Sequence, residues 1–170
     1  QVLTPMHKGL CGAENLNEVL GKALNPTPTA EVERRGRTLH VGDRVVQIKN
    51  DYDRNVFNGD QGFIVDVNAA LKKVVVRFDE RDVDVTFEQL DLLLPAWATT
   101  VHRAQGGEHK AIVIALLNQH FVMLRRNLVY TAITRAKNPS VIVGSKRALK
   151  TAIANGSSND RCTWLLERLR

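Results

Sequence analysis

KAIVIALLNQHFVMLRRNLVYTAITRAKNPSVIVGS, residues 110–145, decides the fold. Residues 110–117 are one continuous apolar run, the pattern of a strand covered on both faces. Residues 121–137 then place Val122, Leu124, Leu128, Val129, Ala132 and Ile133 on one side of a predicted helix. SVIVGS, residues 140–145, is a second buried strand ending at Gly144. A strand, a helix and a strand in this order form the unit of a parallel sheet, so the chain reads as an α/β domain.

Working toward the N-terminus, Ala98 to His102 is strand-like, and residues 1–5 (QVLTP) are a short buried strand ended by Pro5. Residues 6–12 read as a loop with Gly9 and Gly12. A helix follows from Asn15 to Leu24, with Leu16, Val19, Leu20 and Leu24 at three- and four-residue spacing, and NPTPT (25–29) stops it. Residues 30–40 are polar and charged and read as an exposed link. From Val41 the period changes to two. Residues 42–51, 57–68, 71–79 and 83–93 read as short strands with turns between them, Asn58-Gly59 being a hairpin turn. These strands predict a small antiparallel barrel inserted at 41–92 into an α/β domain made of 1–40 and 93–170. Beyond the sheet, residues 147–155 read as a short helix capped by Asn155-Gly156, and CTWLLERLR (162–170) as a last amphipathic one. The first residue is Gln1 and not Met, so the chain reads as part of a longer protein.

Composition bounds the class. Hydrophobic residues at 44% and charged residues at 25% are ordinary for a soluble globular protein. No apolar run approaches the ~20 residues of a membrane span, no signal pattern opens the chain, and no membrane partner is expected. Cys11 and Cys162 fit no metal spacing, so no metal site is expected and a reduced, cytoplasmic setting is the default. Charge is uneven: residues 1–95 carry 12 Lys/Arg against 15 Asp/Glu, whereas 96–170 carry 12 against 3, a net of +9. That concentration fits a polyanionic partner, and it also fits a soluble basic surface. The barrel region is acidic on balance and is not expected to be a simple DNA-binding surface.

Two segments carry the chemistry. TTVHRAQGGEH (99–109) joins two predicted strands. Thr100 and nearby backbone N–H groups can donate to a phosphate, Gly106 and Gly107 admit a ligand close to the backbone, and Glu108 can accept from a ribose hydroxyl. The segment also reads as a polar turn. LVYTAITRAK (128–137) places Thr134, Arg135 and Lys137 at a helix end before a buried strand. Arg135 there could stabilise charge developing in phosphoryl transfer, or could be a cation favoured by the helix dipole.

The two segments resemble motifs V and VI of superfamily 1 DNA helicases of the RecD-like group. The first has Thr100, His102, Gln105, Gly106 and Glu108 in place; the second has Tyr130, Thr131, Ala132, Thr134, Arg135 and Ala136. Residues 42–62 resemble the family's SH3-like insert, with Asn50, Tyr52, Asn58 and Gly59 matching, and residues 1–9 resemble the strand and loop of motif IV. The resemblance implies a RecA-like second motor domain of an ATP-dependent, 5′ to 3′ helicase. It implies that Arg135 is an arginine finger toward the ATP γ-phosphate. Glu108 would touch the ribose, with Gln105 and Gly106 beside the nucleotide and Lys8, or His7 beside it, near the phosphates. Thr100 and His102 would lie near single-stranded DNA, with Asn58 a further nucleic-acid candidate. Gly107, often Ser in relatives, is a mild departure.

Absences count too. No G-x-x-x-x-G-K-[ST] loop occurs in the chain, and no acidic pair follows an apolar strand. Asp66 follows such a run but belongs to the predicted barrel. ATP and Mg²⁺ would therefore be held mainly by an N-terminal motor domain of the same protein, and residues 1–170 alone are not expected to turn over ATP. A non-motor nucleic-acid module and the motor of a conjugative relaxase are the alternatives, and nuclease-complex subunits are further candidate partners.

Overall fold

A computed structural model describes residues 1–156. The helix read at 162–170 lies outside the described residues. In chain order the elements are β1 (Val2–Thr4), α1 (Ala13–Leu24), β2 (Glu31–Arg34), β3 (Arg37–His40), β4 (Arg44–Gln47), β5 (Gln61–Asn68), β6 (Lys73–Phe78) and β7 (Arg81–Thr86). They continue with β8 (Leu93–Pro95), β9 (Ala98–Thr100), β10 (Ile112–Leu116), α2 (Arg126–Ile133), β11 (Ser140–Gly144) and α3 (Lys146–Ala154).

Four strands form a parallel sheet in the order β11-β10-β1-β9. The strand pair read from residues 110–145 is thus its β10–β11 half. Ile112, Ile114, Leu116 and Ile142 pack beneath α2 and α3 with Leu128, Val129, Ala132, Ala148 and Ala152. Gly144 closes β11 with φ +149°, and a Cβ there would collide with the Leu116 carbonyl oxygen, so no other residue fits. The opposite face of this half is open: Val113, Val141 and Val143 are 36%, 48% and 55% exposed.

The second sheet is antiparallel, in the order β7-β6-β5-β4-β8, with a bulge between Ile64 and Asp66. Alternate residues of these strands (Val45, Ile64, Val74, Val76, Val85) meet in one core with Leu90 and Leu93. The expected architecture, a parallel α/β sheet carrying a small antiparallel barrel, is the one adopted. Asp66 is exposed on β5, as read.

Three local readings differ. Residues 30–40 are not an exposed link: β2 and β3 form a hairpin whose Val32 and Leu39 are 6% and 3% exposed within the barrel core. The two buried positions face each other as one cross-strand pair, one per strand, too few for the period to show against the charged residues around them. The strand read at 83–93 stops at Thr86, where the Gln89 carboxamide accepts from the Thr86 N–H at 3.3 Å and its hydroxyl at 3.0 Å. That interaction starts a 3-10 helix over Phe87–Leu92, and the chain resumes as β8, paired to β4. The helix read at 121–137 is two pieces. A 3-10 helix spans Asn118–Met123, Arg125 is extended, and α2 covers only Arg126–Ile133. The break is local: His120 turns back so that its Nδ1 accepts from the Leu117 N–H at 3.2 Å.

Candidate functional site

The segment after β9 is a chain of tight turns. The Thr100 carbonyl accepts from the Ala104 N–H (3.0 Å), the Thr100 hydroxyl from the Arg103 N–H (3.2 Å), and the Ala104 carbonyl from the Gly107 N–H (3.2 Å). The Gln105 N–H is spent on the His102 carbonyl at 3.3 Å. This corrects part of the phosphate-cradle reading, because four backbone donors of the segment already have internal partners. What remains for a ligand is side chains and the N–H groups of His102, Gly106 and Glu108, which have no partner among the described residues. Gly106, at φ +89°, lets the turn reverse with no atom near the space a Cβ would take.

Past α2, which ends at Ile133, the chain runs alongside this segment. The His109 N–H donates to the Arg135 carbonyl and the Lys137 N–H to the His109 carbonyl, both at 2.8 Å, making a parallel bridge between His109 and Ala136. The two chemistry-bearing segments, 27 positions apart at that bridge, are thus fastened together. Across it Lys137 pairs with Glu108 at 3.6 Å, both side chains exposed. Arg135 lies just beyond the helix and not within it. Its guanidinium reaches the Thr131 carbonyl at 3.3 Å, the Gly107 carbonyl at 3.4 Å and the Thr134 hydroxyl at 3.4 Å. All three contacts are long for hydrogen bonds, and Arg135 has no carboxylate partner among the described residues.

The remaining candidate residues divide among three clefts. His102 and Gln105 face Arg125, which precedes α2, and the α2 residues Asn127 and Thr131 around a space of about 270 Å³. Gln105, Gly106 and Glu108 also form one wall of a cleft of about 720 Å³, and Asn58 lies on the barrel wall opposite. Thr100 and His7 share a groove of about 530 Å³ between the sheet and the barrel. Lys8 is exposed and lines none of the three. Asn58 sits in a turn: its N–H donates to Asn50 Oδ1 at 2.9 Å, and the next N–H, of Gly59 at φ +103°, donates to the Gln47 carbonyl at 2.9 Å.

Known proteins resemble this chain along its length. A family model described as the SH3 domain of ATP-dependent RecD-like DNA helicases covers residues 16–78, and one described as the UvrD-like helicase C-terminal domain covers 95–143. The chain is 42% identical over 174 residues to the ATP-dependent RecD2 DNA helicase of Deinococcus radiodurans, a match spanning all of this chain. The chain belongs to the RecD-like helicase family.

That match covers 23% of the Deinococcus protein. A second, to the RecBCD enzyme subunit RecD of Haemophilus influenzae at 30% identity, covers 89% of this chain and 22% of that one. The chain therefore spans under a quarter of these relatives. Among solved structures, the Pif1 helicase of Candida albicans aligns over the whole chain and 50% of its own, with TM-score 0.60 and 18% identity. Bacteroides Pif1, crystallised with ADP-AlF3 and ssDNA, aligns over 99% of this chain and 44% of its own, with TM-score 0.58 and 15% identity. Both show the fold alone: a RecA-like parallel α/β sheet together with an SH3-like domain.

Several residues of this RecD-like chain were not singled out from sequence. Arg37 and Arg103 line the 530 Å³ groove, and only strand pairing brings the first to the second. Arg44 is half-buried over the Phe63 ring, 5.9 Å from its centroid, and donates to Gln61 at 2.7 Å; burial lowers its pKa. His109 is held below the usual imidazole range, first by burial and then by the Gln1 amine and Arg44. His120, 1% exposed, is pushed down by burial, with the Cys11 backbone offsetting part of the shift although Nε2 forms no hydrogen bond of ordinary geometry.

Proposed function

We propose that this chain is the second motor domain of an ATP-dependent DNA helicase and that Arg135 is its arginine finger. Residues 1–40 and 93–170 would form the motor domain, with 41–92 as its insert and the β2–β3 hairpin packed on it. The observation that carries the reading is the state of Arg135. A guanidinium with no carboxylate partner among the described residues, held by three contacts of 3.3–3.4 Å to neutral oxygens, is available to an incoming phosphate. Its position beside Gly107 and Glu108 sets the rest of the assignment. Glu108, whose carboxylate lies 3.6 Å from the Lys137 ammonium, would accept from a ribose hydroxyl. Gln105 and Gly106 border the same nucleotide, and Lys8, exposed on the loop after β1, is the further cation toward its phosphates.

Nucleotide and Mg²⁺ would be held mainly by the first motor domain. Among the described residues no group of three acidic, His or Cys side chains could hold a metal. Mg²⁺ would supply charge neutralisation at the phosphates; what this chain supplies is Arg135, brought up when the two domains close. As charge builds on the transferred phosphoryl group, the guanidinium stabilises it without being deprotonated. Thr100 and His102, at the carboxyl end of β9, lie where a single strand would pass, and repeated closure would move that strand.

In the full-length protein, Arg135→Ala is expected to lower DNA-stimulated ATP turnover by on the order of 10³-fold, the effect of losing such a finger. Equilibrium binding to single-stranded DNA should stay near wild type. Turnover within a few fold of wild type removes the assignment.

A further inference from the structure

Helix α1 touches both the parallel sheet and the barrel, and an asparagine fastens it to each. Asparagine is a poor residue for a helix interior, because its carboxamide competes for backbone hydrogen bonds. Asn17 nevertheless sits inside α1. β9 is an end strand of the sheet, so the outward N–H and carbonyl of Ala98 have no neighbouring strand there. The Asn17 carboxamide takes that strand's place. Its Oδ1 accepts from the Ala98 N–H and its Nδ2 donates to the Ala98 carbonyl, both at 2.8 Å. The second Nδ2 hydrogen goes to the Ala13 carbonyl of its own helix, also at 2.8 Å.

At the other end, Asn25 caps α1 and spends both Nδ2 hydrogens on the root of the barrel. They go to the Val41 carbonyl and to Asp43 Oδ1, each at 2.9 Å. Asp43 directly precedes β4 and is 8% exposed. Its other oxygen accepts from the His40 N–H at 2.9 Å and lies 3.0 Å from His40 Nδ1. Gly42, at φ +92°, lets the carboxamide in: a Cβ there would come within 3.1 Å of Asn25 Oδ1. Between the two asparagines, Gly21 faces the Trp97 indole, whose ring meets Phe63 of β5 edge-on with centroids 6.2 Å apart.

We infer that Asn17 and Asn25 are positioning residues that hold the barrel at one distance and angle from β9, the strand that ends at Thr100. A helix of 12 residues is rigid over its ~18 Å length. Locked to a strand edge at one end and to a buried carboxylate at the other, α1 acts as a strut. Any motion that nucleotide imposes on the sheet then turns the barrel with it, and the barrel does not swing by itself. Asn25 lines none of the three clefts, so it acts only through the placement of the barrel. Asn17 also borders the 530 Å³ groove, which makes Asn25 the decisive position. The consequence for unwinding rests on the helicase reading; the strut itself does not.

The test uses the full-length protein with spin labels at Lys72→Cys on the barrel and Lys150→Cys on α3, its other cysteines replaced by serine. Both positions are exposed. With native asparagines the labels should give one narrow distance distribution, the same without nucleotide and with ADP–aluminium fluoride and oligothymidine. Asn25→Ala should broaden it. The same variant should lower base pairs opened per ATP by about fivefold, while kcat for ATP on single-stranded DNA stays within about twofold. Asn17→Ala should broaden the distribution as well. A narrow distribution in Asn25→Ala, or a native distance that changes with nucleotide, overturns the strut. A fall in turnover that matches the fall in opening overturns the positioning role. Asn25→Asp sets two carboxylates face to face and should broaden the distribution; adding Asp43→Asn restores a donor between the two side chains and should narrow it again. A double variant no better than Asn25→Asp overturns this contact, even where Asn25→Ala fails to fold. Glu18→Gln, on the exposed side of α1, should leave the distribution as it is, and broadening there overturns the assignment to the asparagines. A wild type that opens no duplex overturns the helicase reading, and the distance distributions still decide the strut.

Discussion

The barrel and the parallel sheet solve different problems with similar strands. The barrel strands β7-β6-β5-β4-β8 wrap around one core. Eleven buried residues form one core, and several of its surface charges are paired strand to strand, as in Arg77–Asp82 and Lys73–Asp84. The sheet half has two smaller cores, one open strand face, and a single acid–base pair in its chemistry-bearing loops, Glu108–Lys137. Its basic side chains are thus left for something other than the protein. Net charge of a region is a poor guide to ligand binding: what counts is which cations have no internal partner.

That contrast can be broken at several points. The largest effect belongs to Arg135→Ala, which should cripple turnover while leaving the fold intact; a comparable loss from a barrel variant of equal stability would dissolve the distinction. Next is Gly144→Ala. The added Cβ meets the Leu116 carbonyl oxygen at φ +149°, so the sheet edge must shift, at a cost of on the order of 4 kcal/mol by chemical denaturation. Gly59, also at positive φ but with open space around it, should accept Ala with a smaller loss.

A smaller effect separates the regions by pH. His120 is buried in the sheet half with its pKa depressed, first by burial, so its protonation is favoured in the unfolded chain. The unfolded state binds the extra proton below the ordinary imidazole pKa of about 6.5. Stability contributed by neutral His120 is therefore full above that pH and declines as pH falls below it. His120→Leu should flatten the melting temperature between neutral pH and the mildly acidic range; an unaltered slope would mean another group carries it. The smallest effect is in the barrel. Asp82 is held below the usual carboxylate range by the Arg77 hydrogen bond, but both side chains are exposed, so Asp82→Asn should melt within error of wild type.

The regions also differed in how far sequence revealed them. The apolar runs at 110–117 and 140–145 became β10 and β11, and the alternation after Val41 became the barrel strands, because burial on two faces or one writes directly into the residue pattern. The β2–β3 hairpin stayed hidden because only Val32 and Leu39 turn inward among charged neighbours. The helix after β10 was read too long because Phe121 and Val122 are apolar but exposed, at 71% and 63%. At the site, residue types and order placed Thr100, His102, Gln105, Glu108 and Arg135 in the two segments that meet. The groove was not legible: Arg37 and Arg103 are 66 positions apart, and the fold alone makes them neighbours.

The bridge between His109 and Ala136 has a mechanical meaning. Side-chain contacts can be remade one at a time, but two 2.8 Å peptide hydrogen bonds in a parallel register behave as a stiff coupling. A displacement of the backbone at Arg135 must drag His109 with it, and the turns from Thr100 to Gly107 leave little slack before that pull reaches the end of β9. The two segments form one mechanical unit, with the Arg135 guanidinium at one end and the Thr100 hydroxyl at the other.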